Sequence, residues 1–243
     1  MLVTVTGSNG FVGSALCRAL PSAGHFVRAA SRKIPTTIDR QNVEHIEIGE
    51  MNSKTEWSLA LAGVDCVIHC AARAHVMSDV AEYPLSAYRS VNVDGSRRLA
   101  EQAADSGVQR LVYISSIKVN GEKTISGSPF STYDSPAPVD PYSLSKWEAE
   151  RALWEVASRT GLEIVIVRPP LIYGPGVKGN LARLLRLIRL GMPLPFATLR
   201  NRRSLIGLDN LLDFLIRCVE LPAAKDQTFL VCDGEDLSTA DLV

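Results

Sequence analysis

Short apolar runs alternate with amphipathic stretches along this chain, so that strands and helices are expected to take turns from the N-terminus onward. Leu2–Thr6 is a β-branched, apolar run with no polar alternation, the pattern of a strand buried on both faces of a parallel sheet. Phe26–Ala30, Val43–Ile48, Val64–Cys70, Arg110–Ser115, Ile164–Val167 and Phe229–Cys232 repeat the pattern, giving about seven strands. Between them, helical periodicity marks Val12–Leu20, a short segment around Lys54–Leu61, and two long helices at Ala87–Ser106 and Tyr142–Thr160. Each long helix is followed by a glycine, Gly107 and Gly161. Lys33–Asn42 is a polar loop. Strands and helices in alternation predict an α/β fold, a doubly wound parallel sheet with helices on both faces.

The first turn carries the strongest local signal. Gly7, Gly10 and Gly13 follow the first strand in G-x-x-G-x-x-G spacing, and Phe11 and Val12 open the helix after it. Gly7 lets the chain leave the strand, Gly10 lets the backbone approach a diphosphate, and Gly13 allows close helix–sheet packing. Unpaired N–H groups at the helix N-terminus would hold the phosphates. The second strand ends Ser31-Arg32-Lys33 with no acidic residue. A hydroxyl and a guanidinium there suit a ribose 2′-phosphate better than a ribose diol, so NADP(H) is favoured over NAD(H).

Composition narrows the classes. The chain has 243 residues, 46% hydrophobic, with 26 basic and 26 acidic side chains and zero formal net charge. That is enough for one full core, and nothing in the charge balance argues for nucleic acid or an anionic membrane. One stretch, Lys178 to Arg203, is basic with no acidic residue and is a candidate anion site. The five cysteines show no paired C-x-x-C spacing, so neither a disulfide framework nor a zinc site is expected, and no metal is assigned. Met1 runs directly into the first strand, with no signal peptide and no membrane-length apolar run, and a cytoplasmic protein is expected.

The catalytic candidates cluster late in the sheet. Tyr142 and Lys146 stand four apart at the start of a helix that Asp140-Pro141 introduces, so phenol and ammonium share a face. A nearby ammonium and a positive nicotinamide ring would both favour phenolate, letting Tyr142 exchange a proton with a sugar hydroxyl. Ser116, after the fifth strand, is the preferred hydroxyl partner, with Ser115 as the alternative. His69 and His75 are read as structural hydrogen bonders.

These residues resemble the extended short-chain dehydrogenase/reductase family, in its nucleotide-sugar epimerase and reductase branch, over essentially the whole chain. The resemblance rests on Gly7–Gly13, on Cys70-Ala71-Ala72, Asn92, Ser116 and Tyr142 with Lys146, and on the run from Arg168 to Gly176. It implies a Rossmann domain over 1–168, to which 204–233 returns, and a substrate lobe from 169–203 and 234–243. It further implies an NAD(P) cofactor near Gly7, Asn9, Gly10, Phe11, Val12, Gly13, Ser31, Arg32, Glu50, Met51, Cys70, Ala71, Ala72, Asn92, Ser115, Tyr142, Lys146 and Pro169. Glu50 stands where many relatives have Asp. A nucleotide sugar, UDP-linked, would meet Ser116, Asn180 and Arg203, the arginine gripping its diphosphate. Relatives dimerise through their two long helices, and Trp147, Leu153 and Trp154 offer apolar surface for a homodimer.

Ile117 and Lys118 replace the carboxylate pair that related dehydratases use, which leaves redox chemistry at carbon 4. The NADP(H) reading favours 4-keto reduction of a UDP-6-deoxy-N-acetylhexosamine in surface-polysaccharide synthesis. The alternatives are a 4-epimerase of UDP-glucose or UDP-N-acetylglucosamine, and a non-catalytic NAD(P)-binding module. Relatives run some tens of residues beyond Val243, so a small, truncated C-terminal lobe is expected, with Ser238 and Asp241 opening a last helix.

Overall fold

A computed structural model describes residues 1–34, 43–74, 83–125, 127–177, 179–192 and 201–242. Seven parallel strands form the main sheet: β1 (Leu2–Thr6), β2 (Phe26–Ser31), β3 (Val43–Glu47), β4 (Cys66–His69), β5 (Arg110–Ile114), β6 (Glu163–Arg168) and β9 (Gln227–Leu230). Their order is β3-β2-β1-β4-β5-β6-β9. The chain therefore reverses its direction of winding between β1 and β4, and the crevice outside their carboxyl ends is where such a sheet takes a ligand. All four residues of β4 are buried, as are the last five of β6. That is why these strands read as unbroken apolar runs.

Helices cover both faces. On one side α1 (Phe11–Ser22) and α7 (Leu208–Glu220) pack a core that includes Val3, Val5, Leu16, Leu20, Leu211 and Leu215. On the other, α2 (Ser58–Leu61), α4 (Ser96–Asp105) and α5 (Pro141–Thr160) enclose Trp57, Leu61, Leu99, Leu111, Leu153 and Ile164. The first long helix is not uniform: α3 (Pro84–Arg89) runs through a π-helical turn, Ser90–Gly95, into α4. The wider turn swings Asn92 fully inward, a distortion that simple 3.6-residue periodicity does not register. Asp140 caps α5 reciprocally with Ser143, accepting from its N–H at 2.6 Å while Ser143 Oγ accepts from the Asp140 N–H at 3.1 Å.

The second lobe was only partly foreseen. Beyond Arg168 the chain forms β7 (Leu171–Tyr173), α6 (Gly179–Arg189), β8 (Arg203–Gly207) and β10 (Asp236–Leu237), the three strands making a separate sheet in the order β10-β8-β7. β8 straddles the expected boundary at residue 204, so the return to the main sheet starts with α7 rather than at 204. Ser238 and Asp241 hold each other, with N···O distances of 2.9 and 3.0 Å, but across a turn: among the described residues they open no last helix. Asp233 joins this lobe to the end of β9, accepting from Tyr173 Oη at 2.9 Å, Asn210 Nδ2 at 2.7 Å and the Gly207 N–H at 2.9 Å.

Leu153 packs wholly in the sheet core and Trp154 partly against it, so neither is a free apolar surface as expected. The outer faces of the paired helices are charged instead, with Arg89–Glu148 at 2.5 Å and Arg97–Glu155 at 2.8 Å. Among the described residues no helix is long and apolar enough to cross a membrane.

Candidate active site

The glycine turn is built by close backbone packing. Gly7 is left-handed (φ +64°), and a Cβ there would stand 2.8 Å from both Ala71 N and Cα. A Cβ on Gly13 would stand 2.3 Å from the Gly7 carbonyl oxygen. These two glycines thus let β1, the end of β4 and α1 converge, which is what brings the Cys70-Ala71-Ala72 backbone against the turn. Gly10 is the N-cap of α1, and its N–H donates to Gly7 O at 2.8 Å. No side chain caps α1 and no acidic residue lies in its first turn, so the N–H groups of Phe11, Val12 and Gly13 face outward as an anion cradle. Asn9 Nδ2 donates to Lys33 O at 2.8 Å, tying the turn to the chain after β2.

A buried polar relay holds the end of β4. The Ala71 N–H donates to Thr6 Oγ1 at 3.1 Å, and Thr6 Oγ1 lies 2.6 Å from His69 Nδ1. His69 Nε2 meets Ser96 Oγ at 2.9 Å. Burial, with Lys146 nearby, lowers the His69 pKa to about 3, so the ring stays neutral and structural, in line with its reading from the sequence. His75 lies outside the described residues. Asn92 also supports this segment: Oδ1 accepts from the Arg73 N–H at 2.8 Å, and Nδ2 donates to Arg73 O at 3.1 Å and Ser145 Oγ at 2.9 Å. With both amide protons used on protein, Asn92 fixes the loop at Arg73 and offers no free donor.

At the end of β2, Ser31 is buried and its hydroxyl donates to Lys33 O at 2.9 Å, so it is not free for a ribose phosphate. The Arg32 side chain is 72% exposed and reaches Glu50 at 3.5 Å. Met51 is buried beside Gly95. Pro169 is buried, its carbonyl accepting from the Ile117 N–H at 3.0 Å.

The catalytic candidates come together, with one correction to their electrostatics. Tyr142 and Ser116 are hydrogen-bonded, and the Tyr142 ring packs edge-on to Tyr88 at 6.2 Å. Burial, then Asp140 and Tyr88, push the phenol up to about 12, and the group that opposes them is the Ser116 hydroxyl. Lys146 is anchored at the end of β5. Its ammonium donates to Ile114 O at 2.6 Å and lies 4.0 Å from the centroid of Tyr113. The lysine is 1% exposed, and burial lowers its pKa to about 7, against the opposing pull of Glu150 and Cys70. A buried, half-discharged ammonium is a strained arrangement that functional sites retain.

Ser115 also departs from expectation. It is turned inward, its hydroxyl donating to Glu150 Oε1 rather than facing a cofactor. Glu150, which no motif singled out, is the centre of a buried cluster: Arg168 donates Nε and an Nη to its two oxygens at 3.0 and 2.6 Å. The other Nη of Arg168 donates to Asn120 Oδ1 at 2.9 Å. Glu150 follows Lys146 by one helical turn, and Arg168 breaks the apolar run at the very end of β6. A charge four residues beyond a buried lysine, and a charge closing a buried strand, were the available signals. Asn180 and Arg203 are exposed on the second lobe, at the start of α6 and of β8. Lys118, where a dehydratase-like carboxylate would stand, pairs with Asp140 at 2.7 Å. Among the described residues no cluster of three or more His, Cys, Asp or Glu could hold a metal ion.

The strand order and the glycine turn define the dinucleotide-binding α/β class, and the turn's geometry fits a dinucleotide. The chain belongs to the NAD dependent epimerase/dehydratase family, whose model matches residues 3–232, and it is an enzyme of that family. It is 47% identical, over 99% of its length and 73% of the relative, to a UDP-glucose 4-epimerase of Vibrio cholerae. It is 30% identical to an N-acetyl-alpha-D-glucosaminyl-diphospho-ditrans,octacis-undecaprenol 4-epimerase of Escherichia coli O157:H7, over 99% of the chain and 70% of that relative. Among solved structures, MoeE5 in complex with UDP-glucuronic acid and NAD superposes with a TM-score of 0.86 at 27% identity, covering the whole chain and 80% of MoeE5.

Proposed function

We propose that this enzyme is an NAD-dependent 4-epimerase of a UDP-linked hexose, with UDP-glucose as the first substrate to test. The observation that carries the reading is the 47% identity to a UDP-glucose 4-epimerase across 99% of this chain. It displaces the 4-keto reduction favoured from the sequence, and the end of β2 gives a physical reason. The Ser31 hydroxyl is spent on Lys33 O, and Glu50 stands 3.5 Å from Arg32, so its carboxylate offsets the charge that a 2′-phosphate would need. NAD is the better fit.

NAD held here would supply a hydride acceptor and donor for one sugar carbon. Its diphosphate would lie on the Phe11–Gly13 N–H groups, and its nicotinamide half near Tyr142 and Lys146, in the crevice between residues 1–168 and the second lobe. Epimerisation then asks of this chain that one group take the 4-hydroxyl proton and give it back. The Tyr142 phenol oxygen is that group, and the Ser116 hydroxyl holds the same substrate oxygen. Because the phenol is pushed up to about 12 by its own surroundings, the chain alone keeps it neutral. Positive charge brought against it is what favours the phenolate. Asn180 and Arg203 would face the nucleotide diphosphate from the second lobe. A homodimer through the α4 and α5 faces belongs to the same proposal.

The test is UDP-glucose to UDP-galactose interconversion followed by proton NMR, with the cofactor released by denaturation and identified. Turnover with NAD, and loss of about a thousandfold in kcat for Tyr142→Phe, is the expected result for a positioned acid–base group acting with its neighbours. No interconversion, together with NADPH-dependent consumption of a UDP-4-keto sugar, overturns it.

A further inference from the structure

The buried cluster behind the catalytic residues has no part in the chemistry so far described. Glu150 is 3% exposed, Arg168 6%, Asn120 3% and Ser115 3%. Taking an ion pair out of water is costly, and replacing one with apolar side chains is often neutral or stabilising. The pair also does little that the adjacent core, from Ala149, Leu153 and Val165 to Val167, could not do by packing. What it does instead is connect. Arg168 closes β6, Ser115 follows β5, Glu150 is on α5, and Asn120 extends the link by donating Nδ2 to Ser131 O at 2.8 Å. The Ser115 N–H also donates to Val167 O at 2.7 Å, so backbone and side chain hold the same bend.

Both ends of that connection reach the site. Ser115 is covalently next to Ser116, whose hydroxyl bonds to Tyr142. Glu150 lies one turn beyond Lys146 on α5, and it is the principal charge of the chain that favours the ammonium. We infer that Glu150, clamped by Arg168, is a positioning residue: through Ser115 it sets the Ser116 hydroxyl against Tyr142, and one turn beyond Lys146 on α5 it sets a carboxylate on the helix face that carries the ammonium. The inference rests on the proposed function for its effect on turnover, but not for its effect on Lys146.

The groups facing Lys146 are His69 and Cys70 from the end of β4, Tyr113 from β5, and Tyr142 and Glu150 from α5. His69 is neutral down to about pH 3, and burial keeps the Cys70 thiol and both phenols protonated well above neutrality. Glu150 is therefore the anion whose removal Lys146 feels in the neutral range. The experiment is the double variant Glu150→Leu/Arg168→Met, which leaves no unpaired buried charge, with Glu150→Gln as a second variant of nearly unchanged volume.

Lys146 is titrated by carbon NMR of labelled lysine in the cofactor-free chain, assigned by its loss in Lys146→Met. Expected is a folded double variant in which the Lys146 midpoint falls below that of the wild type titrated alongside it. Where the wild type turns over, kcat drops roughly tenfold to a hundredfold with KM nearly unchanged, the split of a group that acts through others. A folded variant with the Lys146 midpoint in place, or with wild-type kcat, overturns the inference. If the double variant does not fold, Glu150→Gln decides by the same midpoint. Should wild type fail to epimerise any UDP-hexose while the midpoint still falls, the proposed function is lost and the positioning role stands.

Discussion

In the seven-stranded sheet, β4 buries all four of its residues, whereas α6 in the second lobe buries none of its eleven. β7 and β8 lie between these extremes, with only Leu205, Ile206 and Gly207 of β8 fully covered. The chain is thus held in two ways. In the sheet region, atoms meet atoms on every side, and a single added methyl has nowhere to go. In the lobe, a few polar links such as those to Asp233 hold short strands, and most side chains are exposed. Chemistry that must be rigid, at Tyr142, Ser116 and Lys146, is carried by the first region. Residues proposed to grip a substrate, Asn180 and Arg203, are carried by the second.

The largest expected effect comes from adding the same methyl group in each region. Gly13→Ala forces its Cβ to within 2.3 Å of the Gly7 carbonyl oxygen, against backbone that cannot swing away. We expect a loss of about 3 kcal/mol or more, with no cooperative thermal transition near that of the wild type. Gly191→Ala, at φ +64° with no heavy atom within 4 Å of its Cβ, meets only backbone strain. It should cost about 1 kcal/mol. Equal losses in thermal denaturation would break the comparison.

Next in size is Lys146, where the sheet region carries a burden for function. In the folded chain its pKa is lowered to about 7, against 10.5 unperturbed, so between these values the unfolded chain binds more protons. Wild-type stability therefore rises with pH through that window, and the penalty is fully present below it. Lys146→Met should raise stability at pH 7 by about 2 kcal/mol, net of the hydrogen bond lost at Ile114 O, and the gain should vanish as pH approaches 10.5. Melting curves at pH 7 and pH 10 check this; a gain that is equal at both values would mean that packing, not charge, is responsible. The variant should be inactive.

The same contrast explains what the chain disclosed before it was folded. β1, β4, β5 and β6 were legible because burial on both faces makes a strand an uninterrupted apolar run, and α5 because Asp140-Pro141 and Gly161 mark its ends. The π-turn at Ser90–Gly95 was not, since its periodicity differs from that of an α-helix by one residue in a single turn. β7 and β10, of three and two residues, are too short to carry a period, and β8 buries only its last three residues. Within the site, types and spacing located Tyr142, Lys146 and Ser116, but not which way each polar group faces. Ser115 and Ser116 are adjacent and chemically identical; only the fold turns one toward Glu150 and the other toward Tyr142. The donors of Asn92 and Ser31 are spent in the same hidden way, on Arg73 and Ser145 far off in sequence for the one and on Lys33 O, two residues on, for the other.

Arg32 gives the smallest effect and the finest test of the comparison, because it belongs to the sheet by position and to the exposed class by environment. Its side chain is 72% exposed and its partner Glu50 is 75% exposed, so the pair contributes little to stability. If charge at this edge selected a 2′-phosphate, Arg32→Ala would weaken NADPH binding by about tenfold or more, as expected for loss of a charge-assisted phosphate contact. The geometry argues otherwise: Ser31 is committed to Lys33 O, and Glu50 shares the guanidinium. We expect NAD to bind more tightly than NADP to the wild type, and Arg32→Ala to change NAD affinity by no more than about twofold, with an unchanged melting temperature. Glu50→Gln should then improve NADP binding more than Arg32→Ala harms it, because it removes the carboxylate that opposes the phosphate. Calorimetric titration of the four protein–cofactor pairs made by wild type and Arg32→Ala, repeated on Glu50→Gln, reads both effects directly. Tight NADP binding lost in Arg32→Ala would place this exposed edge, and not the buried turn at Gly7–Gly13, in control of cofactor choice.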